Sequence, residues 1–347
     1  MMTFVIGTLR SGLNALIDYL SYHVLTCLVP ALFIAGAISA IFSQAAVLKY
    51  FGPKANKVTS YAVASVSGTV LAVCSCTVLP LFGGIYKRGA GLGPAIAFLY
   101  SGPAINVLAI VYSASLLGYD IGLARAVGSI GFAFVVGLLM ALVFRKDEDN
   151  KAKNQTFAVL SDEGTKPLWQ QALFIGSLVT ILILAVNKLW LFLGLAFVIL
   201  FLVSWRFFTR EDLINWLKET AHFTRLILPW LFIGVFLAGM IKYLIPDTAV
   251  AGLVGGNSLS ANFGSAIFGT LMYFATLTEV PIVRALMELG MGRGPALALL
   301  LTGPALSLPS LLALRSIMGW KKTLAYGVLV TVLGAFTGWI FGLFVLG

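Results

Sequence analysis

Long apolar runs fill most of this chain and leave it little choice of fold. Stretches near 24–44, 58–80, 92–116, 122–144, 170–187, 189–205, 226–245, 262–283, 294–314 and 322–346 carry few charges, and most approach the roughly 20 residues that take a helix across the hydrocarbon layer. Hydrocarbon offers no partner to backbone N–H and C=O groups, so only helices or closed barrels span it, and continuous runs of this length are helices. Of 347 residues, 60% are hydrophobic and 10% charged, whereas a soluble domain carries about 25% charged residues. The expectation is an all-α integral membrane protein of about ten transmembrane helices.

The formal charge of +10 raises nucleic acid as a partner, but the basic residues sit in short clusters between apolar runs. That pattern fits positive-inside topology, with membrane lipid rather than nucleic acid as the partner. If all ten segments cross, one side carries fourteen Lys and Arg, among them Lys87, Arg145, Arg284 and Arg293. The other carries nine, among them Arg125, Arg315, Lys321 and Lys322. The long polar stretch from Arg145 to Lys166 then lies in the cytoplasm with both termini. Two amphipathic stretches, Thr8–His23 and Thr209–Arg225, each precede a span and read as interfacial helices. The start of the chain reads as an anchor, not a cleavable leader, and three cysteines within apolar stretches suggest no disulfide framework.

An internal repeat divides the chain. Pro80–Ala104 aligns without gaps on Pro281–Ala305 with eleven of twenty-five positions identical, four of them Gly and three Pro. Apolar composition alone matches Leu and Ala, not Gly and Pro at fixed offsets. Pro30-Ala31-Leu32-Phe33-Ile34 likewise resembles Pro229-Trp230-Leu231-Phe232-Ile233. The expected organisation is an N-terminal repeat of an interfacial helix and four spans (1–144), a cytoplasmic loop (145–168), two linking helices (169–208) and a C-terminal repeat (209–347). The repeats run parallel if the crossings between equivalent points are even in number, and inverted if they are odd.

Repeated membrane units place solute sites near their interface, on discontinuous helices. Ser101-Gly102-Pro103 and Thr302-Gly303-Pro304 fall mid-span at matched positions, where Pro removes a backbone donor and Gly permits unusual dihedrals. The freed backbone groups then face protein or an aqueous cavity, which Asn106 and Ser307 line. The plainer reading is a pair of packing kinks. Cys74, Cys76 and Thr77 form a second candidate: Pro80 distorts the turn and turns both sulfurs toward one soft solute, or both are small buried apolar side chains. The second copy offers Thr278 and Glu279 instead. Glu279 is the one carboxylate in the apolar part of either core pair, so it binds a cation, carries a coupling proton, or pairs with Arg284. Cys27 reads as packing, and His23 and His222 as interfacial side chains near the matched Pro30 and Pro229.

The run Val73–Pro80, the Gly-rich Gly89–Pro94 and Ser101–Asn106 resemble the predicted-permease family that includes bacterial organoarsenical efflux permeases. That resemblance implies a permease for a small-molecule or metalloid solute such as a trivalent organoarsenical. It leaves the solute, the direction and a homo-oligomeric state open. No GxxxxGKS or GxxxxGKT run is present, so a gradient or a partner subunit supplies the energy. No cofactor motif and no HExxH or GxSxG motif is evident, so a carrier is favoured over an enzyme, a channel or an assembly protein.

The charge pattern generates a topology prediction. A cysteine replacing Gln155, in a variant without native thiols, is expected to stay unlabelled when intact cells meet an impermeant maleimide. Strong labelling reverses the orientation.

Overall fold

The computed structural model describes residues 2–21, 28–41, 56, 59–65, 75–147, 167–186, 189–244, 254–272 and 279–346. Among these the chain is helical, with one isolated bridge between Gly255 and Met291. The helices are α1 (Met2–Tyr19), α2 (Val29–Ala40), α3 (Ser75–Lys87), α4 (Leu92–Ala104), α5 (Val107–Leu117), α6 (Tyr119–Val143) and α7 (Leu168–Val186). They continue as α8 (Trp190–Phe207), α9 (Arg210–Leu244), α10 (Leu259–Leu271), α11 (Glu279–Glu288), α12 (Arg293–Thr302), α13 (Leu308–Met318) and α14 (Trp320–Leu346).

Their exposure pattern inverts that of a water-soluble bundle. On α6, Tyr119, Leu123, Val127, Ile130, Phe134, Leu138 and Leu142 form an exposed stripe at helical spacing, while Arg125, Ser129, Gly122 and Gly137 face inward. Large apolar groups outward and small or polar groups inward suit a helix whose solvent is lipid. Among the described residues, Tyr119–Val143, Arg210–Met240 and Trp320–Val345 are long and apolar enough to cross a membrane. Leu92–Ala104 with Ala109–Leu117, bent by 48°, makes a fourth.

Local features recur at a spacing of 201 residues. Gly89 and Gly290, each closing the turn after a short helix, have φ of 103° and 105°. Gly118 and Gly319 separate the next helix pairs with φ of 114° and 84°. An L side chain is strained at such angles, so glycine is what lets the chain turn there. A Cβ on Gly137 would lie 2.7 Å from Gly93 O, and one on Gly338 would lie 2.5 Å from Gly294 O. The same glycine-to-glycine contact thus joins α4 to α6 and α12 to α14.

Equivalent helices nevertheless point in opposite directions. Gly93, entering α4, lies beside Ala141 near the end of α6, whereas Arg293, entering α12, pairs with Asp120 at the start of α6. Lys322, entering α14, donates to Tyr86 Oη at 3.1 Å and lies 3.9 Å from Asp147 Oδ2, just beyond α6. So α6 and α14 are antiparallel. One end of the bundle gathers Lys87, Asp147 and Lys322; the other gathers Asp120, Arg284 and Arg293, with Arg284 donating to Leu116 O.

Two sequence expectations change here. The run 262–283 does not cross as one helix. α10 runs inward beside α12 from the Arg293 end, with Ser265 Oγ donating to Pro295 O and Gly269 reaching Thr302. α11 returns to that same end, where Gly292 N donates to Val254 O ahead of α10. In the first half, 59–65 runs beside α4 and α3 comes back to Lys87, with 66–74 outside the described residues. Two turns back in place of two crossings reverse the charge grouping: Arg284 and Arg293 lie opposite Lys87, and Lys322 lies beside it. The Lys87 end then holds Arg145, Lys146, Lys321 and Lys322, which strengthens the positive-inside bias for the loop that leaves from it. The start of α1, with Gly7 against Tyr243, and the end of α14, with Gly342 against Asn257, lie at the opposite end, so loop and termini do not share a side as the charge count expected.

Neither amphipathic stretch stands as a separate interfacial helix. Thr209–Arg225 continues without interruption into the following apolar run as α9, with Pro229 inside it. α1 lies along the apolar half of α9, where Ser11 Oγ donates to Gly239 O at 2.9 Å and Gly12 faces Phe236. Reciprocally, the polar half of α9 lies on α2, with Trp216 Nε1 donating to Phe33 O and Gly36 against Thr220. α7 and α8 pack on each other at the periphery, α7 also meeting α2.

Close glycine contacts make a stability prediction. Gly137→Leu and Gly338→Leu should each destabilise the protein by about 1–3 kcal/mol through overpacking, seen as a lower melting temperature in detergent. Gly131→Ala, with nothing within 4 Å of the added methyl, should leave it unchanged or slightly raised.

Candidate functional site

Each half contains a helix broken in mid-course. α4 carries Pro103 near its end and stops at Ala104; Ile105 takes φ −97° and ψ 35°, and α5 restarts at Val107. α12 stops at Thr302, turns through Gly303, Pro304 and Ala305, and α13 restarts at Leu308. Asn106 Oδ1 accepts from Ala109 N at 3.5 Å and Ser307 Oγ from Ser310 N at 3.3 Å. These two residues therefore cap the restarting helices, satisfying amides that the break would orphan. Ser101 Oγ donates to Phe98 O and Ala64 O, and Thr302 Oγ1 to Ala298 O and Leu299 O. Ser101, Gly102, Pro103, Thr302, Gly303 and Pro304 are all buried.

The breaks are tied together across the halves. Tyr100 Oη, on α4, donates to Leu301 O on α12 at 2.8 Å, and Tyr326 Oη, on α14, donates to Ala305 O at 3.3 Å. Carbonyls released where helical pairing stops thus find buried phenols in place of water.

Beside this contact lies a buried ion pair. Glu279 opens α11 and Arg125 lies in α6, with side chains 1% and 0% exposed and Arg125 Nη2 3.3 Å from Glu279 Oε2. Arg125 Nη1 donates to Ser113 Oγ on α5 at 2.7 Å, and Ser113 Oγ to Ala109 O. A Cβ on Gly303 would lie 2.9 Å from Glu279 Oε1, so that glycine admits the carboxylate to the break. Among the described residues, Arg125 Nε and Glu279 Oε1 have no hydrogen-bond partner. The pair bridges the two halves.

Counting charges assigned Arg125 to a loop; the structure buries it inside α6. The readable signal was a lone arginine, on an otherwise apolar helix, at the position where the second copy has Tyr326. Arg284 does not pair with Glu279. It bonds Glu288, one turn on, at 3.1 Å, both side chains being exposed. Thr77 is buried on α3. Cys76 lies in the first turn of α3, eleven residues before Lys87, or roughly 16 Å inward at 1.5 Å per residue. Cys74 and Thr278, like Cys27 and His23, lie outside the described residues. His222 is exposed on α9, far along the helix from either break. A cavity of about 310 Å³ opens between α2, α7, α8 and α9, lined by Val29, Pro30, Phe33, Leu178 and Trp216 among others. Its lining bears no charged group, and it lies apart from the breaks.

The profile of a family described as predicted permeases matches residues 10–343. The UPF0718 protein MJ0584 of Methanocaldococcus jannaschii is 44% identical over 360 residues, covering 99% of this chain and 98% of that protein. The UPF0718 protein YraQ of Escherichia coli strain K12 is 28% identical over 268 residues, 77% of this chain and 63% of YraQ. No solved structure matches the chain.

The ion pair can be tested without knowing any solute. Arg125→Met should destabilise the fold by about 3–5 kcal/mol, because it strands a buried carboxylate. Arg125→Met combined with Glu279→Met should recover most of that loss, measured as melting temperature and monodisperse yield in detergent.

Proposed function

This chain belongs to the predicted-permease family, and we propose that it is a secondary-transporter-like permease whose solute site lies where the two broken helices meet. The halves are read as two inverted copies of one unit, joined by α7 and α8, in the multi-pass arrangement of the cytoplasmic membrane. A carrier needs a buried polar site that two rigid units can open alternately to either side. The Arg125–Glu279 pair is the observation that carries this reading. Intramembrane charges are costly, and each member of this pair comes from a different half and, among the described residues, has a polar atom without a partner.

The cargo is read as a small, soft, thiol-reactive species such as a trivalent organoarsenical, moved outward. Soft thiolates at Cys74 and Cys76 suit such a solute, Thr77 and Thr278 are read as further solute contacts, and Glu279 couples the movement to a cation or proton. Permeation, not catalysis, is the activity.

Proteoliposomes loaded with unlabelled solute should accumulate labelled methylarsenite by counterflow; a channel or an assembly protein would not. Glu279→Gln removes the charge change while keeping shape. It should abolish net gradient-driven transport and spare exchange, whereas normal net transport by this variant across a pH series leaves the carboxylate a structural role. Cys74→Ser and Cys76→Ser should each lower transport at least tenfold at unchanged expression, and a fully active double serine variant returns both thiols to packing.

A further inference from the structure

Coupling through Glu279 assigns Arg125 no ligand of its own, yet its charge is as deeply buried. It is held from its own half, by Ser113 Oγ at 2.7 Å, and only at 3.3 Å by the carboxylate of the other. A tight charge-assisted N–H···O bond is about 2.7–2.9 Å. The guanidinium is therefore anchored independently of Glu279, and its Nε–H has no acceptor among the described residues. Glu279 has no second donor there: Oε1 points at Gly303, where a side chain would fill the space.

We propose that Arg125 receives the solute as a monoanion while Glu279 receives a proton, so that one weak-acid equivalent occupies the pair. This deepens the reading of the inter-half contact as the solute site and rests on it. With nothing bound the pair is neutral. An anion alone at Arg125 would leave the carboxylate uncompensated in a low-dielectric site, and a proton alone on Glu279 would do the same to the guanidinium. Binding both restores neutrality: the acid HA contributes A⁻ to Arg125 Nε–H and Nη2–H, and its proton goes to Glu279. Each ligand raises the affinity for the other by the same factor. Arginine suits the anion because its planar fork offers several donors to one oxyanion or thiolate.

The other titratable group facing the pair, among the described residues, is Tyr100 on α4, which in turn lies near Tyr326 on α14. Both phenols are already committed to carbonyls of the α12 break, at Leu301 and Ala305. From α5 the Ser113 hydroxyl meets the pair. The proton acceptor is thus Glu279.

The test uses the purified full chain in detergent, lightly buffered with an indicator dye at mildly alkaline pH. It is titrated in turn with formate, hydrosulfide and dimethylarsinate, three monoanions of different softness. At least one should bind saturably with uptake of one proton per anion, its affinity weakening about tenfold per unit rise in pH. Glu279→Gln should bind the same anion with no proton uptake and no pH dependence. The double variant Arg125→Gln with Glu279→Gln, neutral and therefore able to fold, should bind none. Saturable binding of no anion, binding by wild type without proton uptake, or wild-type binding by the double variant would each overturn the proposal. Counterflow that persists with no proton-linked binding sinks this inference alone; proton-linked binding without counterflow sinks the transporter reading instead.

Discussion

A helix that stops inside a bundle facing lipid must find partners for its loose backbone groups within the protein, because no water is there to supply them. The arrangement around the two breaks follows from that requirement. Asn106 and Ser307 cap the restarting helices, and the phenols of Tyr100 and Tyr326 take carbonyls at the α12 break. Because Tyr100 reaches from one half to the other, satisfying a break also joins the halves. The polar lining of the centre is thus a consequence of breaking helices in hydrocarbon.

The Arg125–Glu279 pair is stabilised by the same enclosure that makes it costly. Two charges removed from water lose hydration worth several kcal/mol each, and their attraction offsets this only with good geometry and further hydrogen bonds. Here the ion pair is long, at 3.3 Å, and among the described residues one polar atom on each side has no partner. Such a pair is a poor way to stabilise a fold. Around it the packing is close: glycine-to-glycine contacts hold α4 against α6 and α12 against α14. Reciprocal packing of α1 on α9 and of α9 on α2 wraps the halves around each other.

Much of this was legible from residues alone. Matched Gly and Pro positions announced both breaks and the positive-φ turn at Gly89 and Gly290, whereas the equivalent turn at Gly118 and Gly319 lies outside the aligned stretch and showed only in the backbone angles. Glu279 announced itself as an acid within an apolar run. Its partner did not, because Arg125 is 154 residues away and sits in a helix that hydropathy reads only as a span. The caps on α5 and α13 were likewise read as cavity lining, since an Asn or Ser after a break looks the same in either role.

Sequence by itself determined that the chain is helical, that lipid is its solvent, and where its helices break, because composition, run length and Gly-Pro placement act locally along the chain. Only the tertiary structure decided direction and pairing. An apolar run of twenty residues has the same composition whether it crosses or turns back, so the return of α11 to the end from which α10 starts became visible only through contacts such as Gly292 with Val254. That return opposes α6 to α14 and brings Glu279 to Arg125. The physical reason is that hydrophobic transfer depends on how much apolar surface leaves water and not on which way the chain runs. Orientation and pairing are settled by close packing and by matching charge to charge across distant segments.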